Sequence, residues 1–243
     1  SSTIEMLDME QHYDIAVIDE AQMIADRDRG HSWTRAILGV KADEIHICMS
    51  PAAEEVVTHL IALCEDTFEV RHYERKTALV CEQEAFVFPD DVTAGDALIT
   101  FTKRAVLDIA GRLEREGIRA SVIYGSLPPE IRRRQIRLFL SHETKVVVST
   151  DAIGMGLNLP VRRIVFIQTE KYDGISTRPL NIPEIRQIAG RAGRFGMYDT
   201  GYVNAMGEDA RNYIAKRFDQ PEPVIKKVSL GFPHILLDMD EPL

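Results

Sequence analysis

The 243-residue sequence has little of several features that mark special classes of protein. Its three cysteines, Cys48, Cys64 and Cys81, lie far apart, and no CxxC pair or histidine pair stands at ligand spacing. A disulfide framework or zinc site is therefore disfavoured. No apolar run approaches the roughly 18 residues that a membrane span needs, and the first residues do not resemble a signal peptide. No lysine follows a glycine, which excludes a GK[ST] phosphate-binding loop within this sequence.

Charge is distributed unevenly along the chain. The formal net charge is −9, which argues against a surface that holds nucleic acid by bulk attraction but is compatible with a local basic groove. Residues 131–137 and 186–194 are basic, whereas residues 82–96 and 238–241 are acidic. The hydrophobic share of 45% is typical of a globular protein, and the cysteine usage favours a reducing compartment.

Short apolar runs rich in β-branched residues alternate with helical patterns along most of the chain. The strand candidates are Asp14–Ile18, Glu44–Met49, Phe68–His72, Ala97–Phe101, Ala120–Tyr124, Lys145–Ser149, Arg163–Ile167 and Tyr202–Ala205. The helix candidates are Pro51–Cys64, Lys103–Glu116, Pro129–Leu140 and Pro183–Ala192. Continuous apolar runs suit strands covered on both faces, so the alternation predicts an α/β fold with parallel sheets and right-handed crossovers.

A change of pattern divides the chain into parts. Residues 76–94 are acidic and irregular, and a fresh strand–helix series begins after them. We therefore predict an incomplete α/β domain over residues 1–76 and a complete one over 77–215. Residues 216–243 contain spaced prolines, which favour a linker or the start of a C-terminal region.

Two adjacent carboxylates, Asp19 and Glu20, end the first apolar strand in the run VIDEAQ. Open α/β sheets bind ligands at the carboxyl ends of their strands. In nucleoside triphosphate hydrolysis, one such carboxylate can hold Mg²⁺ through its water shell, and the other can orient and deprotonate the attacking water. Asp19 suits the first role and Glu20 the second. The alternative is that both are ordinary solvated acids at a strand end.

A second informative run, QIAGRAGRFG, holds two arginines three positions apart, Arg191 and Arg194, with small residues between them. Residues at this spacing share one side of a helical turn, and glycine and alanine permit a close approach. Such a pair can reach a γ-phosphate as an arginine finger. A solvated basic helix end is the alternative, and it fits poorly because the intervening residues are apolar.

Between these runs, STDAIGMGLNLP (149–160) leads from a strand into a Gly-x-Gly loop. Backbone amides in such a loop can approach phosphates, and Asp151 can accept a hydrogen bond from a ribose hydroxyl. A tight turn without a ligand explains a single GxG equally well.

Taken in order, these blocks resemble the motifs of a superfamily-two helicase of the DExH type. VIDEAQMI is similar to motif II, CMSPAA to motif III, ALITFTKR to motif IV, STDAIGMGLNLP to motif V and QIAGRAGRFG to motif VI. The runs DEAQMIADRDRGHSWTRAILG and VIYGSLPPEIRRRQ resemble, more narrowly, the SUV-three-like RNA helicases of the mitochondrial RNA degradosome and their bacterial relatives. The resemblance extends over roughly residues 3–233.

The resemblance implies two RecA-like domains, with ATP and Mg²⁺ as cofactors and single-stranded or duplex RNA as the partner. The implied catalytic residues are Asp19 (also the Mg²⁺ ligand, through water), Glu20, Gln22, Gln187, Arg191 and Arg194, with Gln22 linking the site to the second domain. Asp151, Gly154 and Gly156 are the implied nucleotide-binding residues. Thr102, Lys103, Ser126 and Thr150 are the implied contacts with the nucleic-acid backbone.

Two departures from the family pattern bear on this interpretation. Motif III reads Ser50-Pro51-Ala52 where many related helicases carry Ser-Ala-Thr, which puts coupling through that segment in doubt. The family places its phosphate-binding loop upstream of motif II, and the loop is absent here. We therefore expect a fragment that does not turn over ATP alone.

Three functions remain open from the sequence. The first is an ATP-dependent RNA helicase of RNA turnover, with an exoribonuclease as a possible partner, no membrane association, and a bacterial cytoplasm or a mitochondrial matrix as its compartment. The second is a DNA helicase of related build, because the motifs do not report a 2′-hydroxyl. The third is a non-catalytic helicase-like module that binds RNA or a partner protein. Trp33 and Tyr124 could stack bases, although packing is favoured for Trp33.

Overall fold

The structure is a computed structural model that describes residues 2–154, 159–194 and 196–231. These residues form two compact units, one made of residues 2–72 with 222–231 and the other of residues 73–221. The domain bounds at 76 and 215 that the sequence suggests stay predictions. Among the described residues, no helix is both long and apolar enough to cross a membrane.

The first unit is built on two parallel strands. They are β1 (His12–Ile18) and β2 (Lys41–Ile47), paired in the register that sets Ile18 opposite Ile47. Helices α1 (Gly30–Gly39) and α2 (Glu54–Leu63) accompany them, with short 3-10 turns at Ile4–Met6, Ala21–Ala25 and Pro51–Ala53. The buried core includes Ile18, Ile24, Trp33, Ile37, Val57 and Leu60. These residues come from β1, the Ala21–Ala25 turn, α1 and α2, and Ile4, Ile45 and Ile47 pack against them, so the short elements share one core.

The last described residues pack onto this first unit. Ile225 and Val228 lie against its core, and the Ile225 amide donates to the Ala52 carbonyl at 2.8 Å. The Thr34 hydroxyl donates to the Ser229 carbonyl at 2.9 Å. Residues 222–231 therefore belong structurally with the N-terminal residues.

The second unit contains a six-stranded parallel sheet. Its strands are β3 (Ala78–Cys81), β4 (Asp96–Ile99), β5 (Ala120–Ile123), β6 (Val146–Ser149), β7 (Arg163–Phe166) and β10 (Thr200–Ala205), in the order β3-β10-β7-β4-β6-β5. Its helices are α3 (Lys103–Arg115), α4 (Pro129–Leu140), α5 (Ile182–Ala189) and α6 (Glu208–Phe218). A separate antiparallel hairpin joins β8 (Glu170–Tyr172) to β9 (Thr177–Pro179).

Both faces of the six-stranded sheet are covered. Ile99 packs in one apolar cluster with Ile185 of α5, whereas its neighbour Leu98 packs in another with Val106 and Leu113 of α3. Successive strand residues point to opposite faces, so two clusters require helices on both sides. The predicted α/β fold with parallel sheets is confirmed.

The strand predicted at Phe68–His72 is wrong, because the structure gives these residues no strand pairing. Phe68 and Val70 are 50% and 41% exposed, so the alternation of apolar residues faces solvent instead of a core. An alternating pattern becomes a strand only where a partner strand completes its hydrogen bonds. The irregular segment predicted at 76–94 contains the edge strand β3, and α1, α6 and the β8–β9 hairpin were not predicted.

Candidate functional sites in the two units

The acid pair lies at the carboxyl edge of the two-stranded sheet. Strand β1 ends at the buried Ile18, and Asp19 follows as an exposed residue. The backbone of Glu20 is left-handed (φ 54°, ψ 41°), and its amide donates to Asp19 Oδ1 at 2.8 Å. The Cys48 amide donates to the Ile18 carbonyl and the Ala21 amide to the Cys48 carbonyl, each at 2.9 Å. Backbone pairing with the residue after β2 thus fixes the turn that carries both carboxylates.

Trp33 supports the acid pair from inside the unit. Its indole Nε1 donates to the Asp19 carbonyl at 3.0 Å, and the residue is only 6% exposed. The Arg29 guanidinium lies 5.4 Å from the centre of the indole and pairs with Glu5 at 2.7 Å. The described contacts of Trp33 are therefore those of a packed residue that also holds the motif II backbone.

Gln22 joins motif II to motif III. Its Nε2 donates to Glu20 Oε2, and its Oε1 accepts from the Ser50 amide at 3.1 Å. One planar amide makes both contacts and so connects the Glu20 carboxylate to the Ser50 backbone. Ser50 Oγ is buried without a hydrogen-bond partner among the described residues. The contacts described for Gln22 lie within the first unit, and its predicted link to the second domain stays a prediction.

In the second unit, strand β6 leads into the Gly-x-Gly region through a 3-10 turn at Asp151–Gly154. Thr150 is buried, and its hydroxyl accepts from the Ala152 amide at 3.3 Å, which stabilises the turn. Asp151 Oδ2 accepts from Lys171 Nζ at 3.1 Å. Gly156, the other predicted glycine of this loop, lies outside the described residues.

The predicted motif V and motif VI residues meet at Gly154. The Arg191 guanidinium donates to the Gly154 carbonyl, and a Cβ added to Gly154 would lie 3.5 Å from Gln187 Cγ. Gln187 belongs to α5, and Arg191 and Arg194 follow it in the GRAGR segment (residues 190–194), where both are half-buried. Three of the predicted site residues are therefore brought together by the fold, with Arg194 three positions further along the chain.

The GRAGR segment needs its glycines for space as well as for conformation. Gly193 has φ +72°, and an added Cβ would lie 2.6 Å from the Gly201 amide nitrogen and 2.7 Å from Thr77 Cγ2. The Gly193 amide donates to the Val161 carbonyl at 2.9 Å. The segment is thus seated against β10 and the residue before β3, where a side chain at position 193 has no room.

A chain of ion pairs, which the sequence did not reveal, links motif V to the helix of motif VI. Lys171 on β8 contacts Asp151 at 3.1 Å and Glu184 of α5 at 3.0 Å. Arg178 on β9 pairs with Glu184 at 2.9 Å and with Asp173 at 3.2 Å. Glu184 also completes a capping box with Asn181 at the start of α5.

The pKa values in this ion-pair chain follow from burial and charge. Burial by itself lowers the pKa of Lys171, but Asp151 and Glu184 together raise it above its ordinary value. Burial raises the pKa of Glu184, whereas hydrogen bonds from Arg178, the Asn181 backbone and Lys171 bring it below its ordinary value. Both groups are charged at neutral pH, so the hairpin, Asp151 and α5 are held together by full charges.

The predicted nucleic-acid contacts lie at one edge of the six-stranded sheet. Thr102 follows β4, Ser126 follows β5 and Thr150 follows β6, and these three strands are neighbours in the sheet. Lys103 and Ser126 are exposed, and Lys103 Nζ lies 5.4 Å from the ring centre of Tyr124. The Thr102 hydroxyl caps α3 by accepting from the Ala105 amide at 3.1 Å. Thr102 is exposed as well, whereas Thr150 is buried, so Thr102, Lys103 and Ser126 are the accessible members of the set.

The fold and these two groups of residues define the class: a helicase with RecA-like parallel-sheet units, a DExH-type acid pair in the first and a GRAGR segment in the second. Residues 1–73 match the DEXQ-box helicase domain of Suv3, and residues 77–196 match the helicase conserved C-terminal domain. The chain belongs to the Suv3-type helicases.

Curated relatives and solved structures agree with this placement. The ATP-dependent RNA helicase SUV3, mitochondrial, of Oryza sativa subsp. japonica is 41% identical over 237 residues, which cover 96% of this chain and 41% of that protein. The SUV3 homolog of Caenorhabditis elegans is 44% identical over 213 residues, covering 87% of this chain and 29% of that protein. S. cerevisiae Dbp5 bound to RNA and ADP BeF3 shares the fold, with a TM-score of 0.56 at 20% identity over 86% of this chain and 58% of that chain. The chain thus spans well under half the length of these curated relatives.

Proposed function

We propose that this chain supplies motifs II to VI of an ATP-dependent RNA helicase that couples ATP hydrolysis to RNA unwinding or translocation. The observation that carries the proposal is the pair of supported sites in one chain: Asp19 and Glu20 at a parallel strand end, and Arg191 and Arg194 beside the motif V turn. Besides a phosphate-binding loop, phosphoryl transfer to water requires acids and arginines from the protein, and this chain carries both.

The residues present fit Mg²⁺ and a nucleotide. Asp19 is exposed, and its Oδ2 accepts no hydrogen bond among the described residues, so an oxygen ligand for Mg²⁺ is available. Mg²⁺ would neutralise charge on the phosphates. Glu20, oriented by Gln22, would take the proton of the attacking water. Asp151 would meet the ribose through the carboxylate oxygen that Lys171 leaves free.

Arg194 is the better candidate for the arginine finger. The Arg191 guanidinium already donates to the Gly154 carbonyl and so holds motif V against motif VI. Arg194 lies three residues further along, beyond the left-handed Gly193, so the two arginines do not share the helical turn that their spacing predicts. We assign transition-state stabilisation to Arg194 and positioning to Arg191.

RNA is the proposed substrate because the relatives that match nearly the whole chain are named ATP-dependent RNA helicases. Lys103 and Ser126 are the proposed backbone contacts. A role in RNA turnover with an exoribonuclease partner, in a mitochondrial matrix or a bacterial cytoplasm, is the wider proposal. The names of the curated relatives support the mitochondrial alternative.

The first test is ATP turnover by the full-length protein that carries this chain, with and without single-stranded RNA. We expect RNA-stimulated turnover that Glu20→Gln abolishes while leaving nucleotide binding largely intact, because glutamine keeps the shape but not the basicity. The 243-residue chain alone is expected to show no turnover. Wild-type turnover by Glu20→Gln would refute the assignment of the base, and no turnover by the wild-type full-length protein would favour a non-catalytic RNA-binding module.

The second test addresses the finger. Arg194→Ala is expected to lower kcat by about 10³ or more, the scale of arginine-finger losses. A loss below about tenfold would move the role to Arg191 or remove it. Unwinding assays on RNA, DNA and hybrid duplexes then separate an RNA helicase from a DNA helicase of related build.

A further inference from the structure

Two arginines, Arg75 and Arg186, lie close to the points where the chain enters and leaves the second unit. In their described hydrogen bonds, both donate only to backbone carbonyls. Arg75 lies three residues after the entry at His72–Tyr73, and Arg186 contacts the residues just before the exit at Pro221–Glu222. Neither guanidinium forms an ion pair within the described part of the chain. This arrangement differs from that of Arg178, whose guanidinium pairs with carboxylates.

Arg75 binds the segment that follows α5. Its Nε donates to the carbonyl of Thr77, two residues along the chain, at 2.8 Å, and Nη1 donates to the carbonyl of Gly190, the C-cap residue of α5, at 2.7 Å. Nη2 donates to the carbonyls of Ala192 and, at 3.2 Å, Gly193, both beyond the end of the helix. A planar guanidinium fork reaches several such carbonyls at once. Three of these four acceptors lie within the GRAGR segment.

Arg186 makes the matching contact at the other crossing. It lies in the last turn of α5, and its Nη2 donates to the carbonyls of Phe218, the last residue of α6, at 3.2 Å and of Gln220 at 2.6 Å. Its Nε is buried without a hydrogen-bond partner among the described residues. Arg186 of α5 therefore binds the residues just before the chain leaves the second unit. Arg75, just after the chain enters that unit, binds the GRAGR segment.

The chemistry of the acceptors favours arginine at position 75, where three nitrogens donate to four carbonyls. A lysine ammonium is a point charge that reaches fewer of these divergent carbonyls than a planar guanidinium with fixed donors. At position 186 a single nitrogen, Nη2, makes both contacts. Burial of part of the Arg75 guanidinium lowers its pKa, although the residue as a whole stays exposed.

We propose that Arg75 and Arg186 are positioning residues that fix the GRAGR segment to the two places where the chain passes between the units. The proposal rests on the proposed ATPase function. A change near residues 72–73 or 221–222, where the chain passes between the units, would then alter the orientation of Arg191 and Arg194. The nucleotide-binding residues would not change. A misplacement of about 1 Å in a catalytic group costs up to about a hundredfold in rate, so a loosened segment lowers kcat more than it alters ATP binding.

The experiment compares Arg75→Lys, Arg75→Ala and Arg186→Ala in the full-length protein, with Arg71→Ala as the matched control. Arg71 is an exposed arginine in the same stretch of chain, where it pairs with Glu69 at 3.0 Å. We expect kcat to fall about tenfold or more in the Arg75 and Arg186 variants, with KM for ATP changed less than about twofold. Arg71→Ala should behave as the wild type. Millimolar guanidinium should restore part of the activity of Arg75→Ala, because residue 75 is exposed to solvent.

Amide hydrogen exchange supplies a readout that does not depend on turnover. We expect Arg75→Ala to speed exchange at residues 190–194, and Arg186→Ala to speed it at residues 217–220, while the amides of β4 and β6 keep wild-type protection. Unchanged exchange in these segments would overturn the proposal, as would a kcat loss no larger than the loss of folded protein. An inactive wild-type protein would refute the ATPase function alone, since the exchange result would still test the two arginines.

Discussion

The two units hold their site residues by different means. In the first unit, Ile15 and Val17 on β1 are 58% and 64% exposed, and the acid pair depends on Trp33, Gln22 and backbone pairing with Cys48. In the second unit, β4 and β6 are buried throughout, and the motif VI segment is held by Arg75, ion pairs and close glycine contacts. The segment that carries the arginines therefore has more independent supports than the acid pair of the first unit, and we expect the second unit to be the more resistant to unfolding.

The largest effect is expected from Gly193→Ala, which places a methyl group at a close backbone contact in the second unit. Left-handed backbone strain and a Cβ placed 2.6–2.7 Å from Gly201 and Thr77 should together cost about 2–5 kcal/mol of unfolding free energy. Gly196→Ala is the control: it has φ +82° with nothing within 4 Å, so it should cost about 1 kcal/mol. Urea unfolding followed by amide exchange of β6 measures both. Equal losses in the two variants would show that packing at Gly193 is unimportant.

A smaller effect is expected from Trp33→Phe, which probes the first unit. The substitution removes the hydrogen bond to the Asp19 carbonyl and part of a buried ring, so it should cost about 1–3 kcal/mol. Calorimetry should show the lower-temperature transition moving while the transition of the second unit stays in place. Tyr13→Phe, which removes an exposed hydroxyl donor to the Asp8 carbonyl, should leave both unchanged. A shift of both transitions by Trp33→Phe would mean that the units unfold together.

The smallest effect is expected from Glu184→Gln, and this loss of stability in the second unit should depend on pH. The folded pKa of Glu184 lies below its ordinary value, so its stabilisation is present above about pH 4 and is lost as pH falls through the folded pKa. Glu184→Gln should cost about 1 kcal/mol at neutral pH, and the cost should vanish in acid. Unfolding free energies of the second unit between pH 3 and 7 test this, with exposed Glu114→Gln as the control. A cost independent of pH would attribute the effect to the capping box.

Much of the fold followed from local pattern. The bounds of the buried strands β4, β6 and β7 were predicted to within two residues, because a continuous apolar run is typical of a strand that is covered on both faces. Strand β3 was missed because its four residues alternate between exposed and half-buried at the sheet edge. The missed β8–β9 hairpin carried an Asp173-Gly174 turn signal. Helix α5 was predicted at Pro183–Ala192, and its Asn181…Glu184 capping box marks its start at Ile182, whereas its end at Ala189 is three residues earlier than predicted.

The candidate site residues could be predicted from the sequence, whereas the residues that support them could not. Its chemistry-bearing residues stand in short runs, so Asp19 and Arg194 can be recognised from their neighbours. Their supports come from far along the chain: Arg75 contacts Gly190, and Lys171 contacts Asp151, through side chains with no distinctive local pattern. Gln22 is an example. The family resemblance implies that it links the site to the second domain, whereas its described partners, Glu20 and Ser50, lie in the first unit. Spacing identifies such a residue, whereas its partners depend on the packing of several elements.

The strand order has a consequence for how the protein is made. Among the described strands, β3 pairs with β10 alone, so the first strand of the second unit to leave the ribosome has no partner until Thr200–Ala205 has also emerged. The four strands β4 to β7 can pair with one another before then. The edge that carries Thr77, Gly193 and Gly201 therefore closes last during synthesis. A nascent chain released before residue 205 would carry a partly formed sheet with β3 exposed to chaperones.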